Sequence, residues 1–594
     1  MNFWWAWLLC WVVVGAGGRV LALMFYPDYG GEIGFFEFSA GIANDLQAFG
    51  LIAGLVAFGG LIGPRSLRAF AVFGLGLWLI LLFAEGFFWF EFESRLDRLV
   101  FHYLAYPVEV LAFLDDQFYL TVILLPFIGA VWLLVRIFGL PEYGNLGRSP
   151  YGAAIVLMGS VVWFGAPVAQ SDSRVASEFV SNGLLGVLTD ARYDISDIAW
   201  LQGGADAFEQ NDLPDNPSDL SKQVRAEVAG KSHLMLIIEE SFAGPVWEQS
   251  ELRDRYLPNY QRLARQSIEF TNVFATGSRT TRGMEALLNG FPPIPGISTT
   301  ERDRSERLPS LARALAQGGF MPVFLYGGWP DFSGFSNYWK QMGFAHVWSR
   351  HDFSEPFETS WGVADGALFR RIIEEMGQLT QAHQRVFLST LTLSHHRPYD
   401  FPDGVVAFPS DTRRSEFAMA YADQALGDFM RQAAEQPWYD DTLFVIVADH
   451  GLTPRGDALV PASSYRVPLL IHGSGLEPRV ISTLGSTMSL AKTLTELFAV
   501  PDTEPFAGGD LLCGCDTVVP VEYGYRIGLL QRDGLLVVDE HGSFHRWHYD
   551  VGRNEIKAVD RTTAEGRDAV LGYFGPAQRW FYETSLNPRP MLAR

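Results

Sequence analysis

Residues 443–451 read LFVIVADHG, six apolar residues followed at once by an aspartate, a histidine and a glycine. Six consecutive apolar residues are typical of a strand that is buried on both faces of a sheet. Polar side chains directly after such a strand lie at its carboxyl end, where open α/β sheets collect ligand groups. The pattern therefore predicts that Asp449 and His450 face a binding site, although Asp-His-Gly taken alone is equally typical of a capped turn.

A second stretch of the same kind lies 209 residues earlier in the chain. Residues 234–238 are apolar, and Glu239, Glu240, Ser241 and Phe242 follow them. A carboxylate at the end of a buried strand is costly unless it binds a cation or a ligand. The two stretches together predict a polar, metal-competent set of side chains at one edge of a sheet.

Apolar runs alternate with amphipathic stretches over much of residues 232–594. This alternation predicts an α/β domain with a mostly parallel central sheet covered by helices on both faces. The predicted strands are 234–238, 322–326, 386–391, 443–448 and 468–471. The predicted helices are 310–318, 366–381, 412–436 and 488–498.

Residues 276–285 read TGSRTTRGME and run directly into a helical pattern. A hydroxyl at a helix N-terminus lies near free N–H groups that suit a phosphate. Thr280 and Thr281 are both candidate nucleophiles, and either needs a metal or a base to lower its pKa. A simple helix cap is an equal alternative on the local evidence, and Arg282 is a candidate phosphate clamp.

The first 170 residues carry five apolar segments, each near the roughly 20 residues that cross a bilayer as a helix. We expect a transmembrane domain over 1–170, a juxtamembrane linker over 171–231 and an extracytoplasmic catalytic domain over 232–594. Arginines between segments two and three and around the link between four and five indicate that the N-terminus is cytoplasmic. The segments are 3–25, 42–62, 67–90, 118–140 and 151–169, and a short surface helix is expected at 179–188.

Composition excludes some classes of function. Lys and Arg number 45 against 67 Asp and Glu, a net charge of -22, so no basic surface for nucleic acid is expected. The three cysteines are Cys10, Cys513 and Cys515. A Cys-x-Cys pair is short for a disulfide and incomplete for a zinc site, so we expect plain thiols and no disulfide framework.

Four motifs in order resemble the alkaline phosphatase/sulfatase superfamily and, within it, the lipoteichoic acid synthase-like family of membrane phosphoglycerol transferases. The resemblance covers essentially the whole chain, because five spans followed by an external sulfatase-like domain is that family's architecture. Each motif is weak singly, but the ordered set behind five spans is a strong signal. The motifs are Glu240-Ser241-Phe242, residues 279–283 (RTTRG), residues 394–399 (SHHRPY) and residues 448–451 (ADHG).

The resemblance implies one divalent cation, manganese in preference to magnesium or zinc. It implies Glu240, Thr280, Asp449 and His450 as ligands, with Thr280 also the nucleophile because a basic residue precedes it. Glu239 and Thr281 are the alternatives if the register shifts by one.

The same resemblance implies further site residues around the phosphate. His396 fits the spacing of the family's His-x-Pro histidine better than His395, and it would bind phosphate or assist the leaving group. Where the Gram-positive synthases carry a substrate-contacting histidine, this chain has Tyr326, which leaves the acceptor open. The catalytic set is thus Thr280, His396 and Arg282, and the substrate-binding set is His395, Arg279, Asp331 and Tyr326.

The function implied is transfer of a phosphoglycerol headgroup from phosphatidylglycerol, at the bacterial cell membrane, to a glycan or polyglycerolphosphate acceptor through a phosphothreonine. A phosphoethanolamine transferase ranks second, because those relatives usually carry several cysteines. A phosphodiesterase or phosphatase of the same superfamily is a further alternative. A sulfatase is disfavoured, since the Cys- or Ser-x-Pro-x-Arg signature is absent. A non-catalytic membrane sensor predicts lost ligands, yet all four candidates are present.

Overall fold

The chain divides into two compact units, Met1–Ile198 and Ala199–Arg594. Among the residues that the structure describes, no helix is both long and apolar enough to cross a membrane. Most of the five predicted membrane segments, and all of the predicted helix at 179–188, lie outside the described residues. The computed structural model describes positions 16, 19, 38–46, 48, 73, 81, 84 and 85, and residues 218–594 except 297, 303–304, 331–333, 360, 413, 452–457, 515, 540–541, 551–554, 559–563 and 587–594.

In the first unit, a buried ion pair joins two of the predicted membrane segments. The Arg19 guanidinium lies 2.7 Å from Asp45 Oδ1 and also donates to the Gly41 carbonyl at 2.9 Å. Both side chains are largely shielded from solvent. A buried charge is stable only when it is paired, so this pair ties residue 19 to the helix at 38–46.

The second unit contains sixteen strands and eleven α-helices within its described residues. The strands are β1 His233–Glu239, β2 Ile268–Phe274, β3 Met321–Tyr326, β4 His346–Trp348, β5 Glu358–Thr359, β6 Gly362–Val363, β7 Val386–Leu391, β8 Thr442–Ala448, β9 Arg466–His472, β10 Arg479–Ile481, β11 Gly485–Ser486, β12 Val519–Tyr523, β13 Arg526–Leu530, β14 Gly534–Val538, β15 Phe544–Asp550 and β16 Glu555–Ala558. The helices are α1 Asp219–Val228, α2 Pro245–Glu248, α3 Ser250–Tyr256, α4 Pro258–Ala264, α5 Thr280–Met284, α6 Leu311–Gln317, α7 Phe335–Gln341, α8 Asp365–Ala382, α9 Ser415–Ala433, α10 Leu490–Leu497 and α11 Ala564–Leu586.

The central sheet has nine strands in the order β10-β2-β9-β8-β1-β7-β3-β4, with β11 continuing the pairing along β2. All neighbouring pairs are parallel except those of β9, which runs antiparallel to β2 and β8. The prediction of a mostly parallel α/β sheet is confirmed, and the five predicted strands match β1, β3, β7, β8 and β9. Strand β2, whose exposed and buried residues alternate in part, was not predicted.

Apolar burial explains the central position of β1 and β8. All seven residues of each strand are buried, as expected for strands covered on both faces. The predicted helices correspond to α6, α8, α9 and α10. On one face α8 and α9 pack together, and the rings of Phe369 and Phe429 stack with centroids 4.8 Å apart.

A second, antiparallel sheet follows the central one and was not predicted. It has the order β12-β13-β14-β15-β16. Helix α11 packs against it: a Cβ on Gly566 would lie 2.2 Å from the Phe544 ring, and Arg567 Nε donates to the Gly542 carbonyl at 3.1 Å. The strands are short, and among β12–β15, whose burial the structure describes, only β15 alternates, so their periodicity in the sequence is weak.

Helix α1 lies within the segment predicted as a linker. Its N-cap Ser218 donates from Oγ to the Leu512 carbonyl at 3.2 Å, and Arg479 forms an ion pair with Glu227. The end of the predicted linker is therefore helical and attached to the catalytic unit.

Cys513 corrects the expectation of plain thiols, because it is disulfide-bonded. Gly514 follows it with φ +64°, a left-handed conformation that glycine adopts readily. Sequence spacing does not reveal such a turn. Cys10 and Cys515 lie outside the described residues.

Candidate active site and metal centre

Strand register brings the two predicted polar stretches side by side. In the parallel pair of β1 and β8, Glu239 lies opposite Ala448, so Glu240 and Asp449 leave the sheet as neighbours. Strand β7 flanks β1 on its other side, and Thr392 just beyond it donates from Oγ to Glu239 and accepts from the Glu240 amide. The carboxyl edge of the sheet therefore forms the site.

Glu240, Asp449 and His450 form a compact set of ligand atoms. One donor atom from each lies within 4.8 Å of the others, and all three residues are buried. His450 Nε2 lies 3.4 Å from Glu240 Oε1 and 3.4 Å from Asp449 Oδ2. Asp449 Oδ2 is buried and has no hydrogen-bond partner among the residues that the structure describes. Two carboxylates and an imidazole with an unsatisfied oxygen fit a divalent cation.

Thr280 completes this set from the start of α5. Its Oγ donates to Glu240 Oε2 at 3.2 Å and lies 3.4 Å from His450 Nε2. Thr281 is buried and makes neither contact. Of the two threonines that the sequence left open, the structure thus brings Thr280 to the candidate ligands.

The close approach of α5 to the strand end depends on Gly283. A Cβ at this position would lie 2.5 Å from the Asp449 carbonyl oxygen and 2.6 Å from the Asp449 Cβ. No side chain fits in that space. Gly283 therefore allows the turn of Thr280 to pack directly on Asp449.

The orientation of His450 is set by its own backbone. Its Nδ1 donates to the Gly451 carbonyl at 2.7 Å, which leaves Nε2 facing Glu240 and Asp449. Fixing one imidazole nitrogen in this way determines which nitrogen can bind a metal. Gly451 is required here as well, because a Cβ would lie 1.6 Å from the Ser464 carbonyl oxygen.

Ser241 holds the two carboxylates in place. Its backbone has φ +50°, an uncommon conformation for a residue other than glycine. In this conformation its amide donates to Asp449 Oδ1 and its hydroxyl donates to Glu240 Oε1, both at 2.8 Å. The sequence identified Ser241 only as part of a motif, and its geometry indicates a supporting role.

The pKa values of Glu240, Asp449 and His450 depend on one another. Burial raises the pKa of Asp449 to about 7, with a further contribution from the charge of Glu240. Burial also opposes a charged imidazole, yet Asp449 and Glu240 raise the pKa of His450 to about 9. For Glu240 burial is outweighed by the hydrogen bond from His450, so its pKa falls to about 2. A cation binding to this set would displace a proton.

A model of the family described as Sulfatase matches residues 232–500, a little less than half of the chain. These residues are similar to that family.

Named relatives share part of this region. Phosphoglycerol transferase I of Xanthomonas euvesicatoria pv. vesicatoria is 26% identical over 260 residues, covering 41% of this chain and 37% of the relative. Lipoteichoic acid synthase 2 of Bacillus subtilis is 23% identical over 273 residues, covering 42% of this chain and 41% of the relative. The chain thus aligns with less than half the length of these curated relatives.

Solved structures share the fold. A protein in the alkaline phosphatase superfamily from Vibrio parahaemolyticus superposes with a TM-score of 0.55 at 25% identity, covering 63% of this chain and 99% of that chain. The lipoteichoic acid synthase LtaP from Listeria monocytogenes gives 0.52 at 17% identity, covering 67% and 99%. The second likeness shows the fold alone.

Within residues 232–500, Glu239 faces away from the candidate ligands. Its Oε2 accepts from Thr392 Oγ at 3.1 Å, and burial raises its pKa well above the usual range, helped by the charge of Asp365. Successive residues at a strand end point to opposite sides. Glu240, not Glu239, therefore lies in the set.

The two adjacent histidines occupy different environments. His395 is buried, its Nε2 lies 3.0 Å from Ser415 Oγ, and burial lowers its pKa to about 4. It is therefore neutral near pH 7, and its role in substrate binding stays a prediction. His396 is half-buried and lies near enough for its charge to lower the pKa of Glu240.

The predicted phosphate clamp Arg282 is engaged by protein groups. Its side chain is only 3% exposed, and its guanidinium lies 2.8 Å from Glu285, 3.0 Å from Glu522 and 2.6 Å from the Gly296 carbonyl. Its role toward a phosphate stays a prediction. Arg279, one turn earlier, is half-buried; burial raises the pKa of Glu522 to about 7, and the charges of Arg282 and Arg279 oppose this rise.

Of the last two predicted contacts, Tyr326 is the final residue of β3 and Asp331 comes five residues later in the sequence. Tyr326 is 3% exposed, and its ring packs edge-on against Phe335 and Trp339, so it belongs mainly to the core. Burial raises its pKa far above the usual range. Asp331 lies outside the described residues.

Two residues near the site were missed by sequence reasoning. Glu522 reaches Arg282 from the C-terminal sheet, and Trp361 packs on His396 from the hairpin of β5 and β6. Neither belongs to an apolar run or a charged motif. For Trp361, the sequence feature that could have indicated a special position is the tryptophan-glycine pair at 361–362, just before a predicted helix.

Proposed function

We propose that this protein is a divalent-metal-dependent transferase that moves a phosphoglycerol headgroup from phosphatidylglycerol to a glycan or polyglycerolphosphate acceptor. The observation that carries the proposal is the position of Thr280 Oγ, 3.2 Å from Glu240 Oε2 beside Asp449 and His450. A hydroxyl among candidate metal ligands is the arrangement expected of an activated nucleophile. The similarity to phosphoglycerol transferase I suggests phosphoglycerol as the headgroup.

Glu240, Asp449, His450 and Thr280 would hold the cation, with manganese as the expected ion. When bound, a divalent cation there would lower the pKa of the Thr280 hydroxyl and neutralise charge on the phosphoryl oxygens. Ser241 donates a hydrogen bond to each of the carboxylates of Glu240 and Asp449. These bonds would keep the two candidate ligands in fixed positions around the cation.

Thr280 would lose its hydroxyl proton to solvent when the cation binds, so that Oγ attacks, and later leaves, as the oxyanion. In the first half-reaction, Thr280 Oγ forms a bond to the headgroup phosphorus and the bond from phosphorus to the diacylglycerol oxygen breaks. His396 gives a proton to that leaving oxygen. In the second half-reaction an acceptor hydroxyl attacks the phosphothreonine, the bond to Thr280 Oγ breaks, and His396 takes the acceptor's proton. His396 suits this role because it is half-buried near Glu240, whereas His395 is buried and neutral.

The N-terminal apolar segments support a location at the cell membrane, with the catalytic domain on the outer side. There they would keep the site beside its lipid donor. The acidic chain, with a net charge of -22, disfavours nucleic acid as a partner.

The test uses the purified full-length protein with manganese and separate micelles of phosphatidylglycerol and phosphatidylethanolamine, scoring diacylglycerol release. We expect release from phosphatidylglycerol, at least 100-fold reduced in Thr280→Ala and nearly unchanged in Thr281→Ala. Release from phosphatidylethanolamine alone would replace the headgroup in the proposal. Full activity of Thr280→Ala would overturn the nucleophile assignment. Free glycerol phosphate as product whatever acceptor is added would indicate a phosphodiesterase.

A further inference from the structure

The carbonyl of Arg397 is shared by two aromatic side chains at the site. His396 Nδ1 lies 2.8 Å from this oxygen, and the Trp361 indole N–H donates to the same atom. The two rings also touch, with centroids 4.2 Å apart at an interplanar angle of 52°. His396 and Trp361 therefore form one unit around a single acceptor.

This arrangement determines the orientation of the imidazole. A carbonyl oxygen only accepts, so Nδ1 of His396 must carry the hydrogen in this contact. The other nitrogen, Nε2, is then the one that can exchange a proton with substrate. The turn itself is closed by backbone hydrogen bonds, from the His396 amide to Leu393 and from the Tyr399 amide to His396, both below 3.0 Å.

Trp361 is mounted on a hairpin with little freedom to move. Its amide donates to Thr359 Oγ at 3.1 Å, and the same hydroxyl donates to the Gly362 carbonyl at 3.1 Å. Gly362 has φ +147° and bridges to Gly328; a Cβ there would lie 2.2 Å from the Gly327 carbonyl oxygen. The hairpin thus packs against the loop that follows β3. The Trp361 indole contacts the Arg397 carbonyl through its N–H and packs against the His396 ring.

We propose that Trp361 is a positioning residue for proton transfer: its ring and its N–H hold His396 so that Nε2 faces the oxygen that leaves phosphorus. The inference rests on the proposed function, in which Nε2–H of the imidazolium passes its proton to the diacylglycerol oxygen as the bond to phosphorus breaks. The electron pair of that bond stays on the leaving oxygen. In the second half-reaction the acceptor's proton returns to Nε2.

The leaving group provides the test, because a poor leaving group needs the proton and a good one does not. Single-turnover rates of leaving-group release, which report the first half-reaction alone, are measured with full-length protein and manganese on phosphatidylglycerol and on glycerol p-nitrophenyl phosphate, whose phenolate leaves unaided. We expect His396→Ala and Trp361→Ala to lose about 100-fold on the lipid and less than about threefold on the aryl ester. Trp361→Phe, which keeps a ring but not the N–H, should lose about tenfold on the lipid alone.

Trp348 offers a matched control. It is a half-buried tryptophan on β4 whose ring contacts a neighbouring histidine, His346, with centroids 4.1 Å apart. Trp348→Phe should change the rates on both donors equally and by less than about threefold. Melting temperatures of all four variants show whether each is folded.

Different outcomes would contradict the proton-transfer role of His396 and the positioning role of Trp361. An equal loss on both donors in His396→Ala would remove the proton-transfer role of His396, and the role of Trp361 with it. A selective loss in His396→Ala, together with equal effects on the two donors in both Trp361 variants, would overturn the positioning role alone. Selective loss in His396→Ala and in both Trp361 variants supports the inference.

Discussion

Arg282 Nε lies 3.0 Å from Glu522 Oε1, which joins the helix that carries Thr280 to the first strand of the C-terminal sheet. The same guanidinium holds Glu285 at 2.8 Å, and the Glu522 amide donates to the Thr276 carbonyl at 2.8 Å. The sheet that follows the matched family domain thus supports the turn of the candidate nucleophile from behind.

Glu522→Gln should destabilise the catalytic unit and reduce activity. Removing one partner of a buried ion pair costs roughly 3–5 kcal/mol, because the other charge is left uncompensated. Because Glu285 remains beside Arg282, we expect the free energy of unfolding to fall by about 3 kcal/mol, measured from denaturant unfolding curves. Asp219→Asn, which breaks an exposed pair with Lys222, should leave the free energy of unfolding essentially unchanged, because solvent screens this pair. Equal effects of the two changes would contradict a structural role for Glu522.

Gly283→Ala should reduce activity far more than stability. Its new Cβ would meet the Asp449 carbonyl at 2.5 Å and push the start of α5, with Thr280, away from the candidate ligands. We expect a loss of at least 100-fold in diacylglycerol release. Gly377 lies in α8, and a Cβ added there would meet no neighbouring atom within 4 Å, so Gly377→Ala should keep full activity and stabilise by about 0.5–1 kcal/mol. Full activity of Gly283→Ala would show that the start of α5 can move away from Asp449 without reducing diacylglycerol release.

Manganese should stabilise the wild-type protein but not Asp449→Asn. A ligand that binds only the folded state adds about 2.7 kcal/mol at 100 times its dissociation constant. Asp449 Oδ2 is buried without a hydrogen-bond partner in the described part of the chain, so its loss should remove most of this effect. Glu239→Gln is the control, since Glu239 faces Thr392 and not the ligand set. Thermal shifts with increasing manganese measure both, and a lost shift in Glu239→Gln would place Glu239 among the ligands.

Asp365 should give the metal-free protein a pH-dependent stability. It is fully buried; its Oδ1 accepts from the amides of Leu393 and Ser394, and Oδ2 has no hydrogen-bond partner. Burial raises its pKa from 3.8 to about 6, against the lowering effect of those amides. A raised pKa means that the folded state holds the proton more tightly than the unfolded state. The contribution of Asp365 to stability is therefore fully present below pH 4 and is lost as the pH rises through 6.

At about 1.4 kcal/mol for each pKa unit, this contribution amounts to roughly 3 kcal/mol. Asp365→Asn can keep both amide hydrogen bonds while removing the titrating group. We therefore expect the variant to gain roughly 3 kcal/mol relative to wild type between pH 4 and pH 7, measured by unfolding at each pH. A constant difference across that range would mean that Asp365 does not titrate there.

The strands and the ligand set were accessible from the sequence because their signals are local. An apolar run such as 443–448 is long enough for one buried strand, and the residues after it must leave the sheet at its carboxyl edge. The antiparallel direction of β9 and the whole C-terminal sheet were not accessible, because pairing between distant short strands leaves little periodic pattern in the sequence.

The sequence by itself determined the sulfatase-like α/β domain, the edge at which its site lies, and Glu240, Thr280, Asp449 and His450 as candidate ligands. Only the tertiary structure shows that Thr280 contacts Glu240, that Arg282 turns inward to Glu522, that His395 is buried and that Trp361 packs against His396. The physical reason is that neighbouring side chains on a strand end or a helical turn point in different directions. Which one faces the site depends on what the rest of the chain packs against it.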